Sequence, residues 1–258
     1  MPYNNYSKDN LKNCQLYFSS PSKFNDPYDC AIGWIKEELD ENDVEIMINE
    51  LNKQKDISEL IDKSPEEQKE QIRNIMKIQP ENLKKRNEEF IRNINKSVNG
   101  PFKNFGVCCF SEEIDNILMW SHYSNSHQGF CLEFETKYDL FNNKLFPVIY
   151  DQKIPVIKLQ ELLTKNSSCD NSKFVRTKSK YWEYEKEWRL IDKDKNGVFY
   201  KYEINSLSGI YFGCRMEKTK RKTICSIMKN HNANVNYYEM VPDKLEFKLN
   251  IRKIHNSL

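Results

Sequence analysis

Met119-Trp120-Ser121-His122-Tyr123, followed by His127-Gln128-Gly129-Phe130-Cys131-Leu132-Glu133-Phe134, decides how the rest of the chain is read. Its second half alternates, with Phe130, Leu132 and Phe134 on one side and Cys131 and Glu133 on the other. A period of two predicts a strand with one buried and one wet face. Its first half crowds Trp120, His122, Tyr123 and His127 beside that strand. Polar aromatics so placed line a pocket or fill a core.

Working outward, residues 14–20 read as a strand, with Leu16 and Phe18 facing one way and Gln15 and Tyr17 the other. Ser20-Pro21 and Asn25-Asp26-Pro27 then turn the chain, because Asn and Asp bond nearby amides and Pro fixes its own φ. Further strands are predicted over 105–110, 145–150, 185–191, 198–204 and 210–212, with a turn over 192–197. A helix is predicted over 219–231, with Ile224, Ile227 and Met228 facing in. Leu245, Phe247, Leu249 and Ile251 alternate, which predicts a closing strand.

Residues 37–100 differ in character. Glycine vanishes before Gly100, and Glu, Lys, Asn and Ile dominate. Val44, Met47, Ile48 and Leu51 fit one helical face, and Ser64-Pro65-Glu66-Glu67 is a capping box with Pro in the first turn. Pro80 opens another helix, which Gly100-Pro101 stops. The expectation is one α+β domain over 1–258, with a mixed or antiparallel sheet core in two small packed sheets with a cleft. The helical insertion at 37–100 interrupts it.

Composition narrows the function. Forty basic residues against 38 acidic ones give a net charge of +2, which argues against coating nucleic acid by charge alone. Eight cysteines without a C-x-x-C read as reduced thiols of a cytoplasmic protein. No apolar run is long enough to span a bilayer, and residues 1–13 carry no signal peptide.

Three stretches concentrate chemistry: 18–27, 119–134 and 181–189. In an extended 183–189, Glu183, Glu185 and Glu187 share a face with Arg189. Stacked carboxylates repel, so at least one is expected to hold a raised pKa unless Arg189 pairs with Glu187 on a solvated face. Ser19, Ser20, Asn25 and Asp26 either bind phosphate or ribose oxygens or cap their own turn. His122 and His127, with Cys108, Cys109 or Cys131, match no zinc spacing, so no metal is expected. Buried histidines bonded to backbone are the plainer reading, and a histidine donating to a ligand stands between the two. Lys218, Lys220, Arg221 and Lys222 make a basic cluster that either attracts phosphate or starts an exposed helix. Arg176, Lys178 and Lys180 make another.

Taken in order, the motifs resemble a bacterial family known as domain of unknown function 2971. They are Leu16-Tyr17-Phe18-Ser19-Ser20-Pro21 with Phe24-Asn25-Asp26-Pro27-Tyr28-Asp29, then the Met119–Phe134 stretch, then Trp182-Glu183-Tyr184-Glu185-Lys186-Glu187-Trp188-Arg189. That family resembles in motif order the ADP-ribosyltransferase fold of bacterial toxins and phage-defence proteins. The resemblance implies NAD as substrate and a nucleic-acid or protein acceptor. Ser19, Ser20, Asn25, Asp26, His122, His127 and Arg189 would hold the nucleotide. Trp120 or Tyr123 would stack on nicotinamide, and Glu187 or Glu185 would be the catalytic carboxylate. The basic residue that usually precedes the first strand of the family is missing beside Tyr6. Its nucleotide-holding role then falls to His122, Arg176 or Arg189. Two other readings stand beside this one. One is a non-catalytic nucleic-acid-binding or sensing module using the basic cluster. The other is a metal-dependent nuclease using Asp26, His122 and the carboxylates at 183–187.

Overall fold

A computed structural model describes residues 1–31, 67, 104–142, 144–155, 172–193 and 195–254. The helical block expected at 37–100 lies outside the described residues, apart from Glu67, which is helical. The chain divides into two units: Met1–Phe24 with Asn104–Tyr150 and Lys180–Leu258, and Asn25–Lys103 with Asp151–Ser179.

The first unit opens on a helix missing from the sequence expectations, α1 (Asn5–Lys12). Asn4 accepts from the Ser7 amide while Ser7 accepts from the Asn4 amide, a reciprocal cap that starts the helix. β1 (Gln15–Phe18) follows, and Leu16 and Phe18 are its buried side chains, as the alternation predicts. After it come β2 (Gly106–Ser111), helix α2 (Ile117–Tyr123) and β3 (Phe130–Phe134). Asn116 starts α2 by accepting from the Leu118 and Met119 amides. The expected strand at 145–150 is two short ones, β4 (Leu145–Pro147) and β5 (Ile149–Asp151).

In the second unit, helix α3 (Ser172–Arg176) runs into β6 (Thr177–Ser179). There Lys178 and Asp29 form an ion pair at 3.8 Å with both side chains buried. Lys178 therefore does not belong to a surface basic cluster. Asn25 and Asp26 also fall in this unit, and the Asp26 carboxylate accepts from the Tyr28 amide in a local turn.

The first unit resumes with β7 (Glu187–Asp192), β8 (Val198–Lys201), β9 (Leu207–Phe212), helix α4 (Lys218–Asn230), β10 (Asn236–Pro242) and β11 (Leu249–Ile254). Among the described residues, three sheets lie wholly within this unit. β1 pairs with β8; β2-β7-β4 is antiparallel; β11-β10-β9-β3 is mixed, with β9 and β10 parallel and the other pairs antiparallel. A parallel pair needs a crossover, and α4 supplies it. The fold is α+β, built on small mixed and antiparallel sheets, as expected.

α4 presents Ile224, Ile227 and Met228 to a core that also holds Phe130, Ile210, Phe212 and Tyr237. On the opposite face of the same sheet, Trp120, Tyr211, Met240 and Leu249 form a second cluster. The closing strand departs from expectation. It begins at Leu249, while Leu245 and Phe247 are fully exposed in the turn between β10 and β11. Asp243 organises that turn by accepting from the Leu245 and Glu246 amides, so the local turn overrides the apolar alternation.

Candidate functional site

The site is built where α2, the 180–186 segment and β7 meet. Sequence alternation placed Glu183, Glu185, Glu187 and Arg189 on one strand face. The structure corrects this: residues Lys180–Glu185 wind into a 3-10 helix and the strand begins at Glu187. The Lys186 amide closes the turn onto the Glu183 carbonyl at 3.2 Å, and Lys186 takes a φ of +40°. Glu183 is left exposed, whereas Glu185 and Glu187 are 3% and 5% exposed.

The two buried glutamates have different surroundings. Glu187 is gripped by Arg189, whose Nε and Nη2 donate to the two carboxylate oxygens at 2.7 and 3.2 Å. Arg189 is fully buried, and its guanidinium also lies 5.3 Å from the Phe24 ring centre. The pairing is the one the sequence allowed, but it is interior, not solvated. The Glu187 amide donates to the Tyr150 hydroxyl at 2.7 Å, which holds the start of β7. Glu185 instead accepts from the Tyr123 hydroxyl at 2.7 Å, and Tyr123 is 36% exposed. The Glu185 carboxylate is thus covered by a side chain that itself reaches solvent.

Backbone clamps hold this corner. Ser111 donates its hydroxyl to the Glu185 carbonyl at 2.5 Å, and the Glu112 amide donates to the Lys186 carbonyl at 3.2 Å. Lys186 pairs with Glu113, and the Trp188 indole donates to Glu112 at 2.7 Å. Nothing in the sequence singled out Ser111, whose role depends on β2 lying beside β7 in the register that sets Ser111 opposite Glu187.

The remaining expected residues scatter. Trp120 is a core residue with its indole donating to the Ile114 carbonyl at 2.5 Å. His122 is exposed and meets Trp182 edge-on at 6.1 Å. His127 sits in a turn where Asn125, Ser126 and His127 all have positive φ. Its Nδ1 is buried without a hydrogen-bond partner among the described residues. Burial, then the Arg215 charge, lowers its pKa. The Ser20 and Ser22 hydroxyls bond each other at 2.9 Å, and Ser19 donates to the Ser20 carbonyl at 3.3 Å, so this turn caps itself. The early segment reaches the buried pair through Phe24.

Arg221 corrects the basic-cluster expectation. It is buried, donates to the Met216 and Gly213 carbonyls and pairs with Glu239 at 2.8 Å. Lys220 pairs with Glu217 at 2.7 Å, leaving Lys218 and Lys222 as the exposed charges of this helix start. Among the described residues, no group of three or more His, Cys, Asp or Glu side chains could hold a metal ion, and no helix is long and apolar enough to cross a membrane. The seven cysteines within these residues are all free thiols.

Fold and site together define an α+β protein with a buried Arg–Glu pair next to a tyrosine-covered glutamate. The model of the family described as Protein of unknown function (DUF2971) matches residues 119–190, a stretch that contains Tyr123, Glu185, Glu187 and most of β7. This bears out the family resemblance over that stretch. No curated protein and no solved structure matches the chain.

Proposed function

We propose that this protein is a cytoplasmic, NAD-consuming enzyme of the ADP-ribosyltransferase type, moving ADP-ribose to a nucleic-acid or protein acceptor in the manner of a toxin or anti-phage effector. The observation that carries the reading is Glu185, buried yet joined by a 2.7 Å hydrogen bond to the partly exposed Tyr123. Cleavage of the bond between C1′ of the ribose and the pyridinium nitrogen sends the bonding pair to the ring, which leaves as neutral nicotinamide. Positive charge then develops on C1′ and its ring oxygen. A fixed carboxylate at that point stabilises the transition state more than the ground state, as in glycoside cleavage. The acceptor attacks C1′, and its proton passes to a carboxylate or to water.

Of the two glutamates, Glu185 suits this role better. Tyr123 links Glu185 to solvent, while Glu187 and Arg189 act as the rigid support on which the 185–187 corner is held.

The test is nicotinamide release from labelled NAD, with cell lysate and nucleic acid as acceptors. Release is expected from the native chain, and Glu185→Gln, which keeps the shape and removes the charge, is expected to lower it by about a hundredfold or more. No release from a well-folded native protein rejects the reading.

A further inference from the structure

We infer that the exposed face of α4 binds the phosphate backbone of nucleic acid. This narrows the acceptor of the transferase reading to nucleic acid, and it rests on that reading only in that step. The surface itself stands on charge and geometry.

The charge of the chain is nearly balanced, but it is not evenly spread. Of 40 basic and 38 acidic residues, α4 holds five basic and no acidic ones, so the remainder of the chain is net negative. Two of the five are engaged: Arg221 is buried against Glu239, and Lys220 pairs with Glu217. Lys218, Lys222 and Lys229 are exposed, and none of them makes an ion pair among the described residues. At 3.6 residues per turn these three fall within about 40° of one another around the helix and span about 16 Å along it. They form one stripe. Beside it the face offers the exposed hydroxyls of Thr219, Thr223 and Ser226, again without a carboxylate.

The stripe works against the helix that carries it. The first turn holds cations and no anion, where the free amides of a helix favour negative charge. Lys218 and Lys222 are also like charges four residues apart, which repel on a helix surface. Neither feature serves the fold. Charge kept against the stability of its own element points to a partner of opposite sign.

Arg252 of β11 widens the positive surface on the same flank. It donates to Glu239 at 2.7 Å, and Arg221, the i+3 neighbour of Lys218, donates to the same carboxylate at 2.8 Å. Two guanidiniums on one carboxylate leave a positive charge over.

The class of partner follows from what the face offers and lacks. No large apolar side chain is exposed on α4, so a bilayer gains no apolar burial here. Lysines and hydroxyls are the donors that phosphate oxygens accept from. A duplex carries one charge per ~1.7 Å of its axis, so several phosphates lie under a straight stripe of lysines in any register. Binding is therefore indifferent to sequence.

The experiment titrates labelled DNA and RNA duplexes of about 20 base pairs with the full chain at several salt concentrations, read by fluorescence anisotropy. At least one duplex is expected to bind with a Kd of about 1–100 μM near physiological salt, and log K to fall with log salt at a slope of about −3 to −4. The triple variant Lys218→Gln, Lys222→Gln, Lys229→Gln is expected to flatten that slope by about 3 and to lose about tenfold or more in affinity, with no loss in melting temperature. A control triple on other elements, Lys12→Gln, Lys137→Gln, Lys201→Gln, should stay within about twofold of native. No binding of either duplex, or equal losses in the two triple variants, overturns the inference. Binding of phosphatidylserine vesicles in place of either duplex overturns it in favour of a membrane. Lysine-dependent binding without nicotinamide release upholds this face and rejects the transferase reading alone. Nicotinamide release with neither duplex bound rejects this face alone.

Discussion

Arg189 holds both carboxylate oxygens of Glu187, at 2.7 and 3.2 Å, from two residues further along the same strand. Both side chains are interior. Removing one partner of a buried pair strands the other's charge, which costs far more than removing both. Arg189→Ala is expected to destabilise the protein by about 3–5 kcal/mol. Arg189→Met combined with Glu187→Gln should recover a large part of that loss. Urea denaturation of the two variants checks this, and equal losses in both would show that the pair is not the source.

Tyr123 tests the proposed centre with little risk to the fold. Tyr123→Phe removes one hydrogen bond at a partly exposed position. The expected stability loss is under about 1.5 kcal/mol. Nicotinamide release should fall by about tenfold or more, because the hydroxyl fixes the position of the Glu185 carboxylate. Unchanged release in a stable Tyr123→Phe protein would remove Glu185 from the mechanism.

Lys186 takes a left-handed φ of +40°, where side chains crowd the backbone and glycine does not. Lys186→Gly is expected to relieve about 1 kcal/mol of that strain while giving up the ion pair with Glu113, for a small net change in melting temperature. Lys186→Val should lower it markedly, since a β-branched side chain tolerates the left-handed region least. Equal melting temperatures for the Gly and Val variants would show that the corner is unstrained.

Glu239 carries an acid-sensitive contribution. Burial alone would raise its pKa, but hydrogen bonds from Arg221 and Arg252 outweigh it and hold the carboxyl below its ordinary value. A depressed folded pKa gives stability that is complete above the unfolded value and lost as pH falls through the folded one. The stability of the native chain is therefore expected to fall from about pH 4.3 downward. Glu239→Gln should flatten part of that acid limb, measured as urea midpoints between neutral and acid pH. An unchanged limb would locate the effect elsewhere, with Asp192, held low by Tyr200 and Lys144 against burial, as the next candidate.

Gly213 is closely packed. A methyl group there would stand 2.2 Å from the His127 carbonyl oxygen and 3.0 Å from that of Gly129. Gly213→Ala is expected to cost about 1–3 kcal/mol through forced backbone movement, read as a lowered melting temperature.

The sequence was most legible where one face of an element is wet. Phe130–Phe134, Gln15–Phe18 and α4 announce themselves through alternation or helical spacing, and all three lie within two residues of expectation. β10 went unread because it is central to its sheet, with Tyr237 in one core cluster and Met240 in the other. A strand covered on both faces shows no alternation. The 183–189 stretch has the period of a strand in its charges, but a left-handed residue at Lys186 breaks it, and no residue type there signals the break. Arg221 looked like surface charge because its partner Glu239 lies 18 residues away on another element. Tyr123, Glu185, Glu187 and Arg189 were legible as a set of chemical types. Their division into a covered carboxylate and a locked ion pair depends on three-dimensional neighbours.

The pairing of β1 with β8 sets Phe18 against Val198, 180 residues apart along the chain. At synthesis rates of about 5–20 residues per second, the ribosome needs about 10–35 s after making Phe18 to produce its partner. Throughout that interval β1 lacks the strand it pairs with. The nascent polypeptide is therefore a natural client for holding chaperones, and slowing elongation should lengthen its dependence on them.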